Sequence, residues 1–261
     1  MYIHLFLLFC VLSLSGATES GIVGGKAAKP HSRPYMVSVW SERGHTCGGM
    51  LIREDFVMTA AHCLDRKGST GSGRNHLKVV LGAHNIAKKE DSQQVIEVKK
   101  YYRHPKFGKN GPSDMNYDIM LLKLKTKAKL NKYVKVLALP KKNGKIPANV
   151  KCSIAGWGMK RPNGAESDVL YEVTLKVQSE SVCKEKWGKW FDDVNMMCSV
   201  SDGKQAFCQG DSGGPLICNT SPVGIAIYTS KEKCTDTNFP EVYTKISTFL
   251  PWIHKMMRKK I

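Results

Sequence analysis

Short apolar runs broken by glycine and proline turns most constrain the fold of this 261-residue chain. Runs of a few residues recur at 35–40, 50–52, 56–59, 77–82, 94–99 and 119–124. The second half repeats the habit at 151–155, 169–177, 215–218, 223–228 and 241–245. None is long enough for a buried helix, and most are bounded by turn formers, so each reads as a strand. Many short strands point to an all-β chain of antiparallel barrels or sandwiches. Two helical stretches are expected: one turn at 60–63, and a terminal helix over 248–257 with Phe249, Trp252, Ile253 and Met256 on one side. The lysine-rich stretch 123–145 reads as the last strand of the first half and a solvated connector to the second.

The N-terminus reads as a targeting segment. Residues 5–14 are apolar but too short to span a bilayer, and Ser15-Gly16-Ala17 offers small residues for cleavage after Ala17. A signal peptide over 1–17 is therefore expected, with residues 18–21 left ahead of Ile22. Of nine cysteines, Cys10 leaves with the signal. Eight cysteines in an exported chain read as disulfides, and about a hundred pairings are open on sequence alone. No C-x-x-C pair is present, and the one His beside a Cys, His62–Cys63, lacks ligand spacing, so neither a metal nor a cofactor is expected.

The net charge is +18, and loss of residues 1–21, which hold one acid and no Lys or Arg, raises it to about +19. Such a field attracts polyanions. No nucleic-acid motif accompanies the dispersed basic residues, which favours sulfated glycans or anionic membranes over a specific DNA or RNA. Asn219-Thr220-Ser221 is the one glycosylation sequon, with Pro222 directly after it.

The chemistry centres on residues 208–218, C-Q-G-D-S-G-G-P-L-I-C. Three glycines around Ser212 permit backbone conformations that a Cβ forbids. A serine becomes a nucleophile when a histidine takes its proton and a carboxylate holds that histidine. Both types lie upstream, in T-A-A-H-C (His62) and N-Y-D-I-M-L-L (Asp118).

With Ile22-Val23-Gly24-Gly25, the His62 and Asp118 motifs, Gly156-Trp157-Gly158 and Gly210-Asp211-Ser212-Gly213-Gly214-Pro215 in this order, the chain resembles the chymotrypsin-like serine proteases. The likeness runs from Ile22 to about Ile253, and the order His, Asp, Ser fits this family. It implies two six-stranded antiparallel Greek-key β-barrels, the first over about 22–130 and the second over about 131–261, with a C-terminal α-helix. It also implies a Ser-His-Asp triad of Ser212, His62 and Asp118, and an oxyanion hole from the N–H groups of Gly210 and Ser212. The bridges it implies are Cys47–Cys63, Cys152–Cys218, Cys183–Cys198 and Cys208–Cys234, which use every mature cysteine and favour a monomer. Asp211 is expected to pair with the α-amino group of Ile22 once the pro-segment 18–21 is removed, so the intact chain is a zymogen.

The short pro-segment, the basic charge and the ending Phe249-Leu250-Pro251-Trp252-Ile253 resemble the granzyme and granule-protease subgroup, with a granzyme A/K-like disulfide set. Gly21 before the cut suits a dipeptidyl peptidase rather than a trypsin-like activator. The subgroup implies storage in a secretory (cytolytic) granule, secretion, protein and peptide substrates, heparin or serglycin-type proteoglycan as a partner, and serpin-type inhibitors. For the specificity pocket the alignment selects Ala206, Phe207, Gln209, Tyr228, Thr229 and Glu241. Ala206 stands where trypsin-like members carry aspartate, and Ile227 and Thr229 depart from the family's Ser-aromatic-Gly. The expected preference is for apolar or aromatic residues, with basic residues tolerated through Glu241. The competing reading is a catalytically weak cationic homologue that binds heparin or acts as an antimicrobial.

Overall fold

The structure is a computed structural model that describes residues 22–64, 76–111, 114–140, 144, 146–161 and 164–259. The expected signal and pro-segment lie outside these residues. The described chain opens with a two-residue strand, β1 (Lys26–Ala27). It then builds six strands of a closed barrel: β2 (Met36–Ser41), β3 (Gly44–Arg53), β4 (Phe56–Thr59), β5 (Lys78–Leu81), β6 (Gln94–Arg103) and β7 (Met120–Leu124). The order around the barrel is β2-β3-β4-β7-β6-β5, every pairing antiparallel. Register slips at Val39/Trp40, Leu51/Arg53 and Val98/Lys100 are β-bulges, which bend and twist a strand and help the sheet curl onto itself. Met120, Leu121, Leu122 and Leu124 of β7 are all buried, so both faces of this strand are covered.

The second half supplies β8 (Lys151–Gly156), β9 (Tyr171–Lys176), β10 (Met196–Cys198), β11 (Pro215–Cys218), β12 (Ser221–Tyr228) and β13 (Val242–Lys245). Their order is β1-β9-β8-β11-β12-β13-β10, so the N-terminal β1 adds a seventh strand to this sheet. A single bridge, Val177 to Ser199, with Gln178 N–H donating to Cys198 O and Val200 N–H to Lys176 O, joins the β9 side to the β10 side. The turn between β11 and β12 is two residues, Asn219 and Thr220, both at positive φ, the geometry that lets a tight hairpin follow the strand twist.

Among the described residues two α-helices decorate the barrels. α1 (Glu180–Trp187) was not legible as a helix: Cys183 is its single buried residue, so it carries no apolar stripe. α2 (Ile246–Arg258) is two residues longer at its start than the apolar pattern suggests, and buries Ile246, Phe249, Leu250, Ile253 and Met256. Each such side chain contributes about 2 kcal/mol on leaving water, enough to anchor the helix against the body. One large core joins the first barrel with α2 and one side of the second half, and a second core fills the other side around Ile22, Phe207, Leu216 and Tyr243. The structure joins Cys47 to Cys63, Cys152 to Cys218, Cys183 to Cys198 and Cys208 to Cys234.

Candidate active site

His62 sits in a 3-10 turn, Ala61–Leu64, immediately after β4. The turn is fastened at both ends: Cys63 is bonded to Cys47 on β3, and Thr59 Oγ1 donates to Gly48 O at 2.8 Å. Asp118 precedes β7 and follows Tyr117, whose φ of 61° turns the chain sharply there. The Asp118 carboxylate is fully buried and takes both its hydrogen bonds from His62. Oδ1 accepts the His62 backbone N–H at 2.9 Å, and Oδ2 meets Nδ1 at 2.6 Å. An ionised carboxylate only accepts, so Nδ1 carries the proton and Nε2 presents a lone pair. This two-point grip fixes tautomer and ring orientation together. From the second half, Thr244 Oγ1 on β13 donates to Asp118 O at 2.9 Å.

Ser212 is 5% exposed, in the turn before β11. Its carbonyl accepts from Gly48 N–H at 2.8 Å, which ties it to β3 of the first barrel beside the Cys47–Cys63 bridge. Gly213 is obligatory: φ is 85°, and a Cβ there would lie 2.1 Å from Thr59 Oγ1. Gly210, at φ 96°, is held on both sides. Met159 N–H donates to Gln209 O at 2.8 Å, which orients the Gln209–Gly210 peptide and therefore the Gly210 N–H. On the other side, His45 Nε2 bonds Gly210 O at 3.0 Å. His45 Nδ1 in turn contacts Ser38 Oγ at 2.7 Å, and Trp40 Nε1–H donates to the same oxygen at 2.7 Å. A carbonyl cannot donate, so Nε2 must carry the proton toward Gly210, and Ser38 gives its hydroxyl proton to Nδ1. The Trp40–Ser38–His45 relay was not singled out from sequence; a lone histidine in a strand carries no signal until its partner across the cleft is known.

Asp211 is fully buried. Its Oδ1 accepts Gly158 N–H at 2.8 Å and its Oδ2 accepts Cys208 N–H at 2.9 Å. Burial pushes its pKa up to about 7, against the two N–H groups that hold it down. The Gly156-Trp157-Gly158 motif acquires a physical meaning here: a Cβ at Gly156 would fall 2.0 Å from Asp211 Oδ1, and one at Gly158 2.5 Å from its Cγ. Both glycines make room for this carboxylate. Ile22 is fully buried in the second core and carries φ 41°, a conformation costly for a β-branched residue.

The expected pocket residues separate into two groups. Ala206 is buried and bridges to Val23, its N–H donating to Val23 O at 3.1 Å. Phe207 is 1% exposed and packs edge-on against Tyr243, 5.3 Å between ring centres, so it fills the second core. The amide oxygen of Gln209 lies against the Cys208–Cys234 bridge, while Thr229 Oγ1 donates to Cys234 O at 2.9 Å. Tyr228 donates through its hydroxyl to Trp190 O at 2.8 Å and meets Trp187 edge-on. Glu241 is fully buried, and burial pushes its carboxyl up to about 8. Its Oε2 accepts from Ser199 Oγ at 2.5 Å, while Oε1 is enclosed with no hydrogen-bond partner among the described residues. Ser199 was also missed, since a serine just past a three-residue strand has no sequence signature. Ile227, where the family carries serine, is 2% exposed and belongs to the large core.

Cys47, Cys63 and His62 have sulfur and nitrogen atoms close enough for a metal cluster. Both sulfurs are spent in a disulfide, which leaves no thiolate to bind an ion.

The trypsin family profile matches residues 22–253. Rat granzyme B is 45% identical over 261 residues, covering 98% of this chain and 99% of its own length. Sheep mast cell protease 3 is 44% identical over 98% of this chain and 96% of its own length. Bovine duodenase-1 is 42% identical over 97% and 96%. No described helix is long and apolar enough to cross a membrane. A barrel pair, a buried acid gripping an imidazole, a glycine-walled serine turn and these likenesses converge: the chain belongs to the trypsin family of chymotrypsin-like serine endopeptidases, in the granzyme subgroup.

Proposed function

We propose that the protein is a granule-stored, secreted endopeptidase that cleaves peptide bonds through Ser212, His62 and Asp118. The observation that carries this is the two-point hold of His62 by buried Asp118, set across from a serine in a glycine-walled turn. Ser212 Oγ attacks the carbonyl carbon while His62 Nε2 takes its proton. The imidazolium, stabilised by Asp118, then gives that proton to the leaving amine, and water releases the acyl group by the same route. The N–H groups of Gly210 and Ser212 receive the developing oxyanion, each worth about 3 kcal/mol.

Activity begins with a cut before Ile22 by a dipeptidyl peptidase. The freed ammonium pairs with Asp211 and settles the loop that carries Gly210. The substrate pocket takes apolar and aromatic side chains, and Glu241 lends it tolerance for Lys or Arg. Heparin-like glycans and serpin-type inhibitors are the partners this reading assigns. The complete, tightly held His62–Asp118 pair favours the enzyme over the catalytically weak homologue.

The test is an organophosphonate active-site probe on protein that starts at Ile22. Labelling is expected in the wild type and absent in Ser212→Ala. An unlabelled wild type of verified fold overturns the reading.

A further inference from the structure

Asp118 lies at the end of the connection between β6 and β7, and the turn that delivers it is strained. Tyr117 takes φ 61°, which a bulky residue adopts only when its surroundings impose it. Asn116 supplies that restraint with both ends of its amide. Its Oδ1 accepts Tyr117 N–H at 2.8 Å and Asn195 Nδ2 at 3.0 Å, and its Nδ2 donates to Asp192 Oδ2 at 2.5 Å. Asn116 N–H in turn donates to Asp114 Oδ1 at 2.9 Å. Asp192 and Asn195 belong to the second half, in the turn that leads into β10, so the amide reaches across the seam.

The receiving turn is closed by its own bonds. Asp192 Oδ2 accepts Asn195 Nδ2 at 2.9 Å, its Oδ1 accepts Val194 N–H at 2.9 Å, and Met196 N–H donates to Asp192 O at 2.7 Å. Asn195 is 5% exposed. A second path leads from this turn back to Asp118. Lys245 N–H donates to Asn195 O at 2.7 Å, and its neighbour Thr244 donates through Oγ1 to Asp118 O. Met196 pairs with Thr244 in register, so the turn and β13 form one piece. That piece grips the Asp118 turn twice, at the Asp118 carbonyl and two residues earlier at Asn116. One grip leaves a hinge, whereas two fix an orientation.

We infer that Asn116, clasped by Asp192 and Asn195, is a positioning residue for the triad. It holds Asp118, and through Asp118 the His62 ring, at the angle that proton transfer from Ser212 needs. The inference rests on the triad reading above, and Asn116 acts through Asp118 and not on the substrate. A misplacement of about 1 Å far from the chemistry costs about a hundredfold in rate, so a small tilt of this turn is enough to matter. The residue types are matched: an amide both gives and takes a hydrogen bond, while a carboxylate only takes. Asn116→Asp sets two carboxylates in contact, and such a pair holds one proton between them until pH rises. Asn116→Asp combined with Asp192→Asn exchanges donor and acceptor and restores the bond across the seam.

The test uses full-length mature protein that starts at Ile22 and a blocked phenylalanine thioester as substrate. Turnover is counted per site labelled by an organophosphonate probe, so unfolded molecules do not enter. Asn116→Ala should lower kcat about ten- to a hundredfold with KM within about twofold of the wild type. The exchange variant should recover most of that loss. In Asn116→Asp alone, the ratio of its kcat to the wild-type value should fall as pH rises from about 5 to 8, because the shared proton is lost. The ionisable groups around the pair are Asp114 before it, Asp193 beside it, Lys184 and Glu180 on α1, Tyr228 on β12 and Lys245 on β13. All are present in both proteins, so they move the midpoint and keep the direction. A wild-type kcat per labelled site in Asn116→Ala, whatever its melting temperature, overturns the clasp. A loss confined to KM, or an exchange variant no faster than Asn116→Asp, overturns it too. A wild type that takes no label overturns the triad reading itself and leaves the clasp no role.

Discussion

Two preparations of the protein, one with the Gly21–Ile22 peptide bond intact and one cleaved there, should differ in how their stability depends on pH. Both would carry Ser212→Ala to prevent self-digestion. In the uncleaved chain Asp211 is fully buried with two backbone N–H donors, and its pKa rises from 3.8 to about 7. The folded state therefore binds this proton more tightly than the unfolded chain does. Stability is unaffected below pH 4, falls as pH rises between about 4 and 7, and is flat above that as far as this group decides. A carboxyl displaced that far holds its proton in the folded state by about 4 kcal/mol more than in the unfolded chain. Cleavage frees an ammonium at Ile22 that offsets the buried charge and brings the carboxyl back down, so the loss should vanish in the cleaved protein. Above about pH 8 the ammonium deprotonates first in the unfolded chain, and because its pairing with Asp211 raises its pKa in the folded state, the two forms should converge only as pH rises through that higher value. Glu241 is displaced too, but it is present in both forms and cancels in the difference. At about 2–4 °C per kcal/mol for a chain of this size, the gap in Tm should widen by roughly 10 °C from pH 4 to pH 7 in differential scanning calorimetry. Parallel curves for the two forms over that interval would refute the assigned partnership of Ile22 with Asp211, and Asp211→Asn should flatten the uncleaved curve alone.

Other outcomes follow from the same geometry. Glu241 is expected to ionise as pH rises through about 8, so the ratio of kcat/KM for Lys over Phe substrates should climb across that range. The ratio should be lower and pH-independent in Glu241→Gln, and an unchanged profile would remove Glu241 from the pocket. Gly158→Ala sets a Cβ 2.5 Å from Asp211 Cγ, and should cost about 1–3 kcal/mol in urea denaturation with a larger loss of activity than of secondary structure.

Much of the strand pattern was legible because a half-buried strand leaves a local trace. β2, β4, β7 and β11 each begin or end within about two residues of the run that announced them. Elements without such a trace were missed. β1 is a two-residue pairing made by its partner strand, β10 is three residues long, and α1 buries Cys183 alone. The same division holds at the site. His62, Asp118 and Ser212 stand in motifs whose residue types demand one another chemically. His45, Ser38 and Thr244 are ordinary residues in ordinary strands and Ser199 directly follows one, and their importance arises from what the tertiary fold brings opposite them. Phe207 illustrates the converse: expected at the pocket, it is 1% exposed and packs edge-on against Tyr243 in the second core, a placement set by the tertiary fold.

His62 and Asp118 are carried by the first half and Ser212 by the second, and among the described residues Gly48 N–H to Ser212 O, His45 Nε2 to Gly210 O and Thr244 Oγ1 to Asp118 O stitch the two together near the candidate site. Proteolytic power is thus a property of the seam. A shift of about 1 Å of one half against the other is expected to cost about a hundredfold in rate while most of the strands remain paired. Inactivation on mild heating should therefore run ahead of melting, giving a cell a way to extinguish the protease without first unravelling it.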